Sequence, residues 1–336
     1  MKILVGSYRF PPDIGGIETA STLLAEGFSM AGHDVRVVTE TNRDDDEARP
    51  FEVIRCPSRS ALMEQVRWCQ VYFQNNISVH SLWPALIVRR PWVISHQTWI
   101  GRAGEKRNWR EYVKRLLLRF GRNVSISDAV ARELGIRSTV IGNPYRDDVF
   151  RLLPEVSRER ELVFLGRLVS DKGLDLVIEA MTILGREGIE PRFTVVGNGP
   201  EENGIRELAR DRGLLDRIEF VGPRTGSELA TLLNGHKIMV VPSRWAEPFG
   251  IVALEGIACG CVVVGSESGG LRNAIGPCGL TFRNGDVEGL ADALRQLLLE
   301  PKLAARKLEN RESHLAAFRS GYVAGEYLKI FQEVIR

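Results

Sequence analysis

The sequence predicts an α/β protein made of two doubly wound domains that face each other across a cleft. Short apolar runs, typical of buried parallel strands, recur along both halves of the chain. Helical segments separate these runs, and this alternation is typical of doubly wound sheets. A polar and charged segment from 146 to 160 interrupts the pattern, so we place the domain boundary there.

The composition allows two full cores and argues against several classes of protein. The 336 residues are 44% apolar, and the net charge of +2 favours neither nucleic acid nor a membrane as partner. Five cysteines, none spaced C-x-x-C, indicate neither a disulfide framework nor a zinc site. The apolar start is too short for a signal peptide, and no run approaches a membrane span. We therefore expect a cytoplasmic protein.

The first half opens with a β–α–β unit. A strand over 2–6 precedes a helix over 17–31, and a second strand follows over 35–39. The turn between them contains Gly15 and Gly16, which let a ligand approach the backbone at the helix N-terminus. A tight turn without a ligand is the alternative. The turn lacks the G-x-G-x-x-G pattern, which argues against a dinucleotide-binding dehydrogenase.

His96 directly follows a predicted strand over 91–95, and another strand is predicted over 71–74. Side chains at that end of a parallel sheet meet the ligand crevice. A single histidine is more often a packed or surface residue than a catalytic one, but this position favours a functional role.

The second half presents two cations around a strand-to-helix turn. Arg167 and Lys172 lie between a strand over 162–165 and a helix over 174–185. The arginine fork grips phosphate oxygens and the lysine acts as a point charge, so the pair suits a diphosphate. A surface pair at a turn is the alternative. Further strands over 193–196 and 218–221 end at Gly197 and Gly222, where a glycine turn alone is a weak signal.

The most informative stretch is 247–255. It follows a buried strand over 238–241, and we predict a helix from Phe249 to Ala258 with Pro248 in its first turn. Gly260 would end that helix in a left-handed conformation. The amides of Phe249, Gly250 and Ile251 would then form an anion site. Glu247 before the helix and Glu255 within it suit sugar hydroxyls, so the stretch describes a nucleotide sugar site.

This stretch resembles the E-x(7)-E signature of the retaining family 4 glycosyltransferases. Four other segments also resemble motifs of that family, and the likeness covers nearly the whole chain, most specifically from Gly166 to Gly270. The segments are Gly-Gly-Ile-Glu at 15–18, Val-Ile-Ser-His at 93–96, Gly-Arg-Leu-x-x-x-Lys-Gly at 166–173 and Gly269-Gly270. Pro144 stands where the family has a glycine in the stretch that ends its first domain.

The resemblance implies the GT-B fold, with two Rossmann-like domains. The acceptor-side domain would span 1–145 with a return helix at about 316–336, and the donor-binding domain would span 146–315. It implies transfer of a hexose from a UDP- or GDP-sugar, with retention and without a metal or other cofactor. Catalytic roles fall to His96, Arg167, Lys172 and Glu247. Donor contacts fall to Gly15, Gly16, Arg167, Lys172, Gly197, Gly222, Phe249, Gly250, Ile251 and Glu255.

Two rival functions and two ambiguous segments stay open. A GT-B nucleotide-sugar epimerase would need no acceptor, and a non-catalytic module would only bind the sugar nucleotide. The acidic run Asp44–Glu47 contains an Asp-x-Asp pattern of metal-dependent glycosyltransferases, but a solvated loop explains it better. The predicted basic helix 105–122 suits either an anionic membrane surface or an ordinary solvated face.

Overall fold

A computed structural model describes residues 1–13, 15–43, 48–101 and 109–336, without the side chain of Arg110. The chain forms two compact units. Unit 1 comprises Met1–Tyr145 with Phe318–Arg336, and unit 2 comprises Arg146–Ala317. The Asp-x-Asp run and residues 105–108 of the predicted basic helix lie outside the described residues.

Unit 1 contains a seven-stranded parallel sheet. Its strand order is β3-β2-β1-β4-β5-β6-β7, so the direction of winding reverses between β1 and β4. In open parallel sheets, ligands bind outside the carboxyl ends of the strands at such a switch point. The strands are β1 (Lys2–Ser7), β2 (Asp34–Thr39), β3 (Glu52–Arg55), β4 (Val71–Asn75), β5 (Trp92–His96), β6 (Arg122–Ser125) and β7 (Thr139–Val140).

Helices cover both faces of this sheet, which explains why its strands are apolar throughout. Ile3 and Val5 pack in one buried cluster with residues of the first and last helices, whereas Leu4 packs in a second cluster on the other face. The helices of unit 1 are α1 (Gly16–Met30), α2 (Arg59–Trp68), α3 (Val79–Val88), α4 (Trp109–Leu117), α5 (Asp128–Leu134) and, after unit 2, α14 (Ser320–Ile335).

The last helix is anchored in unit 1 by aromatic packing. The ring of Phe331 lies 5.2 Å from that of Phe28 and 5.6 Å from that of Phe73. Tyr327 stacks edge-on against Phe73 and donates a hydrogen bond from its hydroxyl to Ser95. Because these side chains are fully buried, the terminal helix completes the core of unit 1.

Unit 2 contains a six-stranded parallel sheet. Its order is β10-β9-β8-β11-β12-β13, with the winding reversal between β8 and β11. The carboxyl ends of β8 and β11 therefore flank the switch point where a ligand is expected. The strands are β8 (Arg160–Leu165), β9 (Phe193–Val196), β10 (Ile218–Gly222), β11 (His236–Val241), β12 (Val262–Ser266) and β13 (Gly279–Phe282).

Eight helices of unit 2 complete the alternation of strand and helix among the described residues. They are α6 (Leu174–Arg186), α7 (Glu202–Asp211), α8 (Gly226–Asn234), α9 (Ile251–Ala258), α10 (Leu271–Ile275), α11 (Val287–Leu299), α12 (Pro301–Leu308) and α13 (Arg311–Ala316). No helix in the described part of the chain is both long enough and apolar enough to cross a bilayer.

Two helix predictions are wrong in their limits. The helix after Glu247 starts at Ile251, because Gly250 adopts a left-handed conformation (φ 103°) that ends the preceding loop. Pro248 and Phe249 therefore lie before the helix. The predicted basic helix ends at Leu117, followed by a 3-10 turn to Phe120, and Arg122 begins β6. The prediction for Gly260 is confirmed, since its φ is +85°.

Candidate active site

Two loops meet at the switch point of unit 2. The loop after β8 ends in a 3-10 turn over Ser170–Lys172, and the loop after β11 begins at Pro242. The backbone carbonyl of Asp171 accepts hydrogen bonds from the amides of Arg244 (2.9 Å) and Trp245. A Cβ on Gly173 would lie 2.2 Å from the carbonyl oxygen of Pro242, so only glycine permits this approach.

This contact brings together two of the predicted catalytic residues. Lys172 Nζ lies 2.5 Å from Glu247 Oε1, and Ser243 donates a hydrogen bond of 2.7 Å to the same oxygen. The side chain of Glu247 is only 13% exposed and that of Lys172 is 29% exposed. The carboxylate is thus held in one position by a cation and a hydroxyl, with its second oxygen left to contact a ligand.

The backbone of Glu247 is fixed by the second pair of adjacent glycines. Gly270 donates its amide to the carbonyl oxygen of Glu247 (2.6 Å), and Glu247 and Gly269 form a parallel bridge. Gly269 has a φ of +85°, and a Cβ there would lie 2.2 Å from the same carbonyl oxygen. Gly269 and Gly270 form the segment that resembles a family motif, and in unit 2 their backbone supports the loop that carries Glu247.

Arg167 follows the carboxyl end of β8 with an exposed side chain. Within the described part of the chain its guanidinium makes no ion pair or side-chain hydrogen bond. An exposed guanidinium at the end of a switch-point strand can grip an anion with its fork of donors.

Gly197 and Gly222 were predicted to contact the donor. A Cβ on Gly197 would lie 1.9 Å from the carbonyl oxygen of Gly166, so this glycine lets two loops pack together. Its amide donates to the carbonyl oxygen of Gly222 (3.0 Å). Gly222 has a φ of +70°, and an added Cβ there would meet only a guanidinium nitrogen of Arg224, at 4.0 Å. Both lie at the carboxyl edge of the sheet, and their donor contacts stay predictions.

The N-terminus of α9 presents different amides from those predicted. Because the helix begins at Ile251, its first-turn amides are those of Ile251 and Val252, while Ala253 donates to Gly250. Phe249 is buried, which fits packing of its side chain against the core. A Cβ on Gly250 would lie 2.5 Å from Leu271 Cδ1.

Glu255 occupies the second turn of α9 and is half-buried. Burial raises the pKa of its carboxyl to about 7, and the positive charge of Arg146 opposes that rise. No described residue donates a hydrogen bond to this carboxylate. Its acceptor oxygens are therefore available for ligand hydroxyls, the role predicted for it.

The predicted residues of unit 1 lie at the carboxyl edge of its own sheet. Gly15 caps α1 in an extended conformation, and a Cβ there would lie 2.5 Å from Glu18 Oε2. Gly16 is the first residue of α1. An added Cβ at position 15 would require the Glu18 carboxylate, the end of a flexible side chain, to move.

His96 is the last residue of β5 and is fully buried. Asn123 donates from Nδ2 to the carbonyls of Leu118 and Gly121, so its Oδ1 accepts from His96 Nε2 (3.0 Å). The tautomer is thereby assigned from the hydrogen-bond network. Burial lowers the pKa of His96 to about 4, so the ring is neutral near pH 7. Its buried Nδ1 has no partner among the described residues and remains a hydrogen-bond acceptor.

Three residues of the site were missed by sequence reasoning. Ser243 donates a hydrogen bond to Glu247, and Asn123 sets the tautomer of His96. Asn143 donates a hydrogen bond to Oε1 of Gln97, the residue after His96 (2.7 Å). The position of Ser243 in the loop after a buried strand, two residues beyond its end, was the only signal available. The other two depend on contacts between segments far apart in sequence.

Comparison with known proteins gives a consistent result. A family model described as "Glycosyl transferases group 1" matches residues 146–314, which nearly coincide with unit 2. Glycogen synthase from Mycobacterium tuberculosis is 36% identical over 159 residues, 47% of this chain and 38% of the relative. D-inositol 3-phosphate glycosyltransferase from Stackebrandtia nassauensis is 34% identical over 186 residues, 52% of this chain and 42% of the relative. The alignments thus span less than half of these relatives.

Solved structures share the fold over the whole chain. Sucrose-phosphate synthase from Thermosynechococcus elongatus has a TM-score of 0.81 at 21% identity, covering 99% of this chain and 98% of that one. HepE from Anabaena, solved in complex with UDP, has a TM-score of 0.84 at 19% identity, covering 99% and 100%. The two parallel-sheet units are those of the GT-B fold, as the sequence predicted. On the family match, this chain belongs to the group 1 glycosyl transferases.

Proposed function

We propose that this chain is a retaining glycosyltransferase that moves a hexose from a nucleotide diphosphate sugar to an acceptor hydroxyl. The observation that carries the proposal is the Lys172–Glu247 pair, held at the switch point of unit 2 within 2.5 Å. A UDP-sugar is the favoured donor, because the similar Anabaena protein was solved with UDP and with UDP-glucose. The acceptor is a glycan, a lipid-linked glycan or a small molecule.

The site supplies positive charge where the leaving group develops negative charge. In the proposed reaction the bond from the anomeric carbon to the diphosphate oxygen breaks, and a bond to the acceptor oxygen forms. The acceptor proton passes to the leaving phosphate. Arg167, Lys172 and the first-turn amides of α9 would stabilise that diphosphate, which is usually the largest contribution to such catalysis. Metal independence is part of this proposal, because the cations can act in place of a metal.

The two carboxylates of unit 2 would hold the sugar and ribose hydroxyls of the donor. Glu247 keeps one oxygen on Lys172 and Ser243, and its other oxygen would bind the transferred sugar. The carboxylate of Glu255 would accept a hydrogen bond from a ribose hydroxyl. In unit 1, His96 is neutral near pH 7, and its Nδ1 would accept a hydrogen bond from a substrate hydroxyl, since Nε2 donates to Asn123.

Turnover with nucleotide sugars tests the function. UDP release from a UDP-hexose should increase when an acceptor is present, should survive excess EDTA, and should fall in Glu247→Gln. Ser268→Ala, a small change at an exposed residue two positions before Gly270, serves as a control for the loop. Formation of an isomerised sugar from the donor alone would favour an epimerase, and binding without turnover would favour a non-catalytic module. Loss of activity in EDTA with rescue by Mn²⁺ would contradict metal independence.

We also propose peripheral contact of unit 1 with an anionic membrane surface. On α4 and the turn after it, one stripe leaves four apolar side chains between 55% and 70% exposed: Trp109, Tyr112, Leu116 and Phe120. Arg119 is exposed beside them. Aromatic side chains next to basic ones suit the interface of an anionic bilayer. Not every predicted cation faces solvent, because Arg115 pairs with Glu133 (2.6 Å).

Sedimentation with vesicles tests this contact. The protein should pellet with phosphatidylserine vesicles at low salt and be released at high salt, where charges are screened. The double change Phe120→Ser and Arg119→Glu should abolish pelleting, whereas Arg306→Glu on the exposed surface of α12 should not. Absence of pelleting by the wild type at low salt would overturn the membrane proposal and leave a soluble acceptor.

A further inference from the structure

Unit 1 contains a cavity of about 640 Å³ at its own switch point. Tyr8 and Asn75 line it from the carboxyl ends of β1 and β4, the two strands between which the winding reverses. Val79 contributes from the start of α3, and Trp109 and Lys114 contribute from α4. This is the position at which an open parallel sheet binds a ligand.

One lining residue requires a hydrogen-bond donor. Asn75 is fully buried, and its Nδ2 donates to the carbonyl of Ile17 and to Ser21 Oγ (2.6 Å). Its Oδ1 is buried and accepts no hydrogen bond from any described residue. A buried carbonyl oxygen without a partner costs about 1–3 kcal/mol, so a ligand that donates a hydroxyl here would gain from satisfying it.

Two lining residues supply positive charge. Lys114 makes no ion pair with any carboxylate in the described ranges. Arg9 is 64% exposed and touches Asp13 only at 3.9 Å, while Arg43 holds that carboxylate more closely at 2.6 Å. Both cations can therefore pair with an anionic group of a ligand.

The remaining lining is mixed, with the polar residues Asn76, Ser78 and His80 beside an apolar part. Ile77, Val79 and Val113 line the cavity, and Trp109 lines it while remaining 70% exposed. The exposed stripe of α4 continues from Trp109, so apolar surface extends outward from the cavity. Covering such surface with a hydrocarbon or a ring would contribute about 25 cal/mol per Å².

We propose that this cavity binds the acceptor, and that the acceptor is an anionic amphiphile with a hydroxylated head group. The hydroxyl would pair with Asn75, the anionic group with Lys114 and Arg9, and the apolar part with Trp109 and its neighbours. The assignment rests on the proposed glycosyltransferase function, since it names the acceptor of that reaction.

Calorimetric titration of the full chain with three soluble compounds tests the site. Octyl glucoside 6-phosphate, which combines all three features, should bind about tenfold more tightly than octyl glucoside or glucose 6-phosphate. Lys114→Ala should remove the advantage of the phosphate, and Trp109→Ala should remove the advantage of the octyl chain. Both side chains reach the surface, so we expect folded variants. Lys302→Ala on α12 is the matched control.

Equal affinity for the three compounds, no binding of any, or no effect of Lys114→Ala and Trp109→Ala would overturn the assignment. UDP is titrated into the same samples. If UDP binds normally while the amphiphile does not, only the acceptor site fails; if neither binds, the proposed function fails as well. When octyl glucoside 6-phosphate binds, pelleting of the protein with phosphatidylserine vesicles supports a bilayer lipid as the natural acceptor, and absence of pelleting supports a soluble amphiphile.

Discussion

At the scale of single residues, Glu247 acquires its environment from segments that no local pattern connects. Its placement in a loop after a buried strand can be predicted from the short apolar run over 238–241 and from Pro242, which ends that run. Its pairing with Lys172, 75 residues earlier, cannot be predicted from any local pattern. That contact depends on β8 and β11 lying side by side, which is a property of the strand order. Residue types and loop positions were therefore predictable, whereas the partners of each side chain were not.

Glu255 gives a pH dependence whose sign can be derived. Its carboxyl has a pKa near 7 in the folded chain against an ordinary value of 4.5, so folding favours the protonated form. The stability this provides is complete below about pH 4.5 and is lost as the pH rises towards 7. Glu255→Gln, which cannot ionise, should therefore raise the Tm relative to wild type by more at pH 8 than at pH 5.

Thermal unfolding at a series of pH values, without ligand, measures this difference. Glu309→Gln, at an exposed glutamate of unit 2, controls for the loss of one surface charge. A Glu255→Gln effect that is the same at pH 5 and pH 8 would show that burial of the carboxyl does not alter its ionisation on folding.

At the scale of elements, the strands were predicted more accurately than the helix ends. The strand over 193–196 has the predicted limits, because a short apolar run closed by a glycine turn has few other possibilities. The helix after Glu247 begins two residues late, although Pro248 suits a first turn. Its start is set instead by the left-handed Gly250 and by the Glu247–Gly270 hydrogen bond, which is a tertiary contact.

The role of Gly269 as a support for the Glu247 loop can be tested by substitution. Gly213 and Gly269 both have positive φ, 68° and 85°, but only Gly269 has backbone within reach of an added Cβ. Gly213→Ala should cost about 1–2 kcal/mol of the free energy of unfolding, from the left-handed conformation alone. Gly269→Ala should cost more, and it should also reduce turnover, because the Glu247 carbonyl must move.

Denaturant unfolding and steady-state turnover of both variants provide the two readouts. Equal losses of stability together with unchanged turnover in Gly269→Ala would mean that the position of Glu247 does not depend on this glycine.

At the scale of the whole molecule, the fold class could be predicted from the alternation of apolar runs and helical segments, which requires no knowledge of contacts. Continuous apolar strands require helices on both faces of a sheet, and the two buried clusters of unit 1 show this arrangement. The strand order was not predictable, since hydrophobicity does not say which strands are neighbours. Yet the order decides the sites, because the switch points bring Gly166–Gly173 beside Pro242–Glu247 in unit 2, and Tyr8 beside Asn75 in unit 1.

The central claim is that the two loops at the switch point of unit 2 bind a nucleoside diphosphate through Arg167 and Lys172. Calorimetric titration with UDP, GDP and ADP tests it most directly. The wild type should bind one of them, and Arg167→Ala or Lys172→Ala should each lose about 1.5–3 kcal/mol of binding free energy, the scale of a charged hydrogen bond. Arg192→Ala and Lys302→Ala, at exposed positions of unit 2, should bind as the wild type does. Failure of the wild type to bind any of the three, or unchanged affinity in both site variants, would contradict the claim.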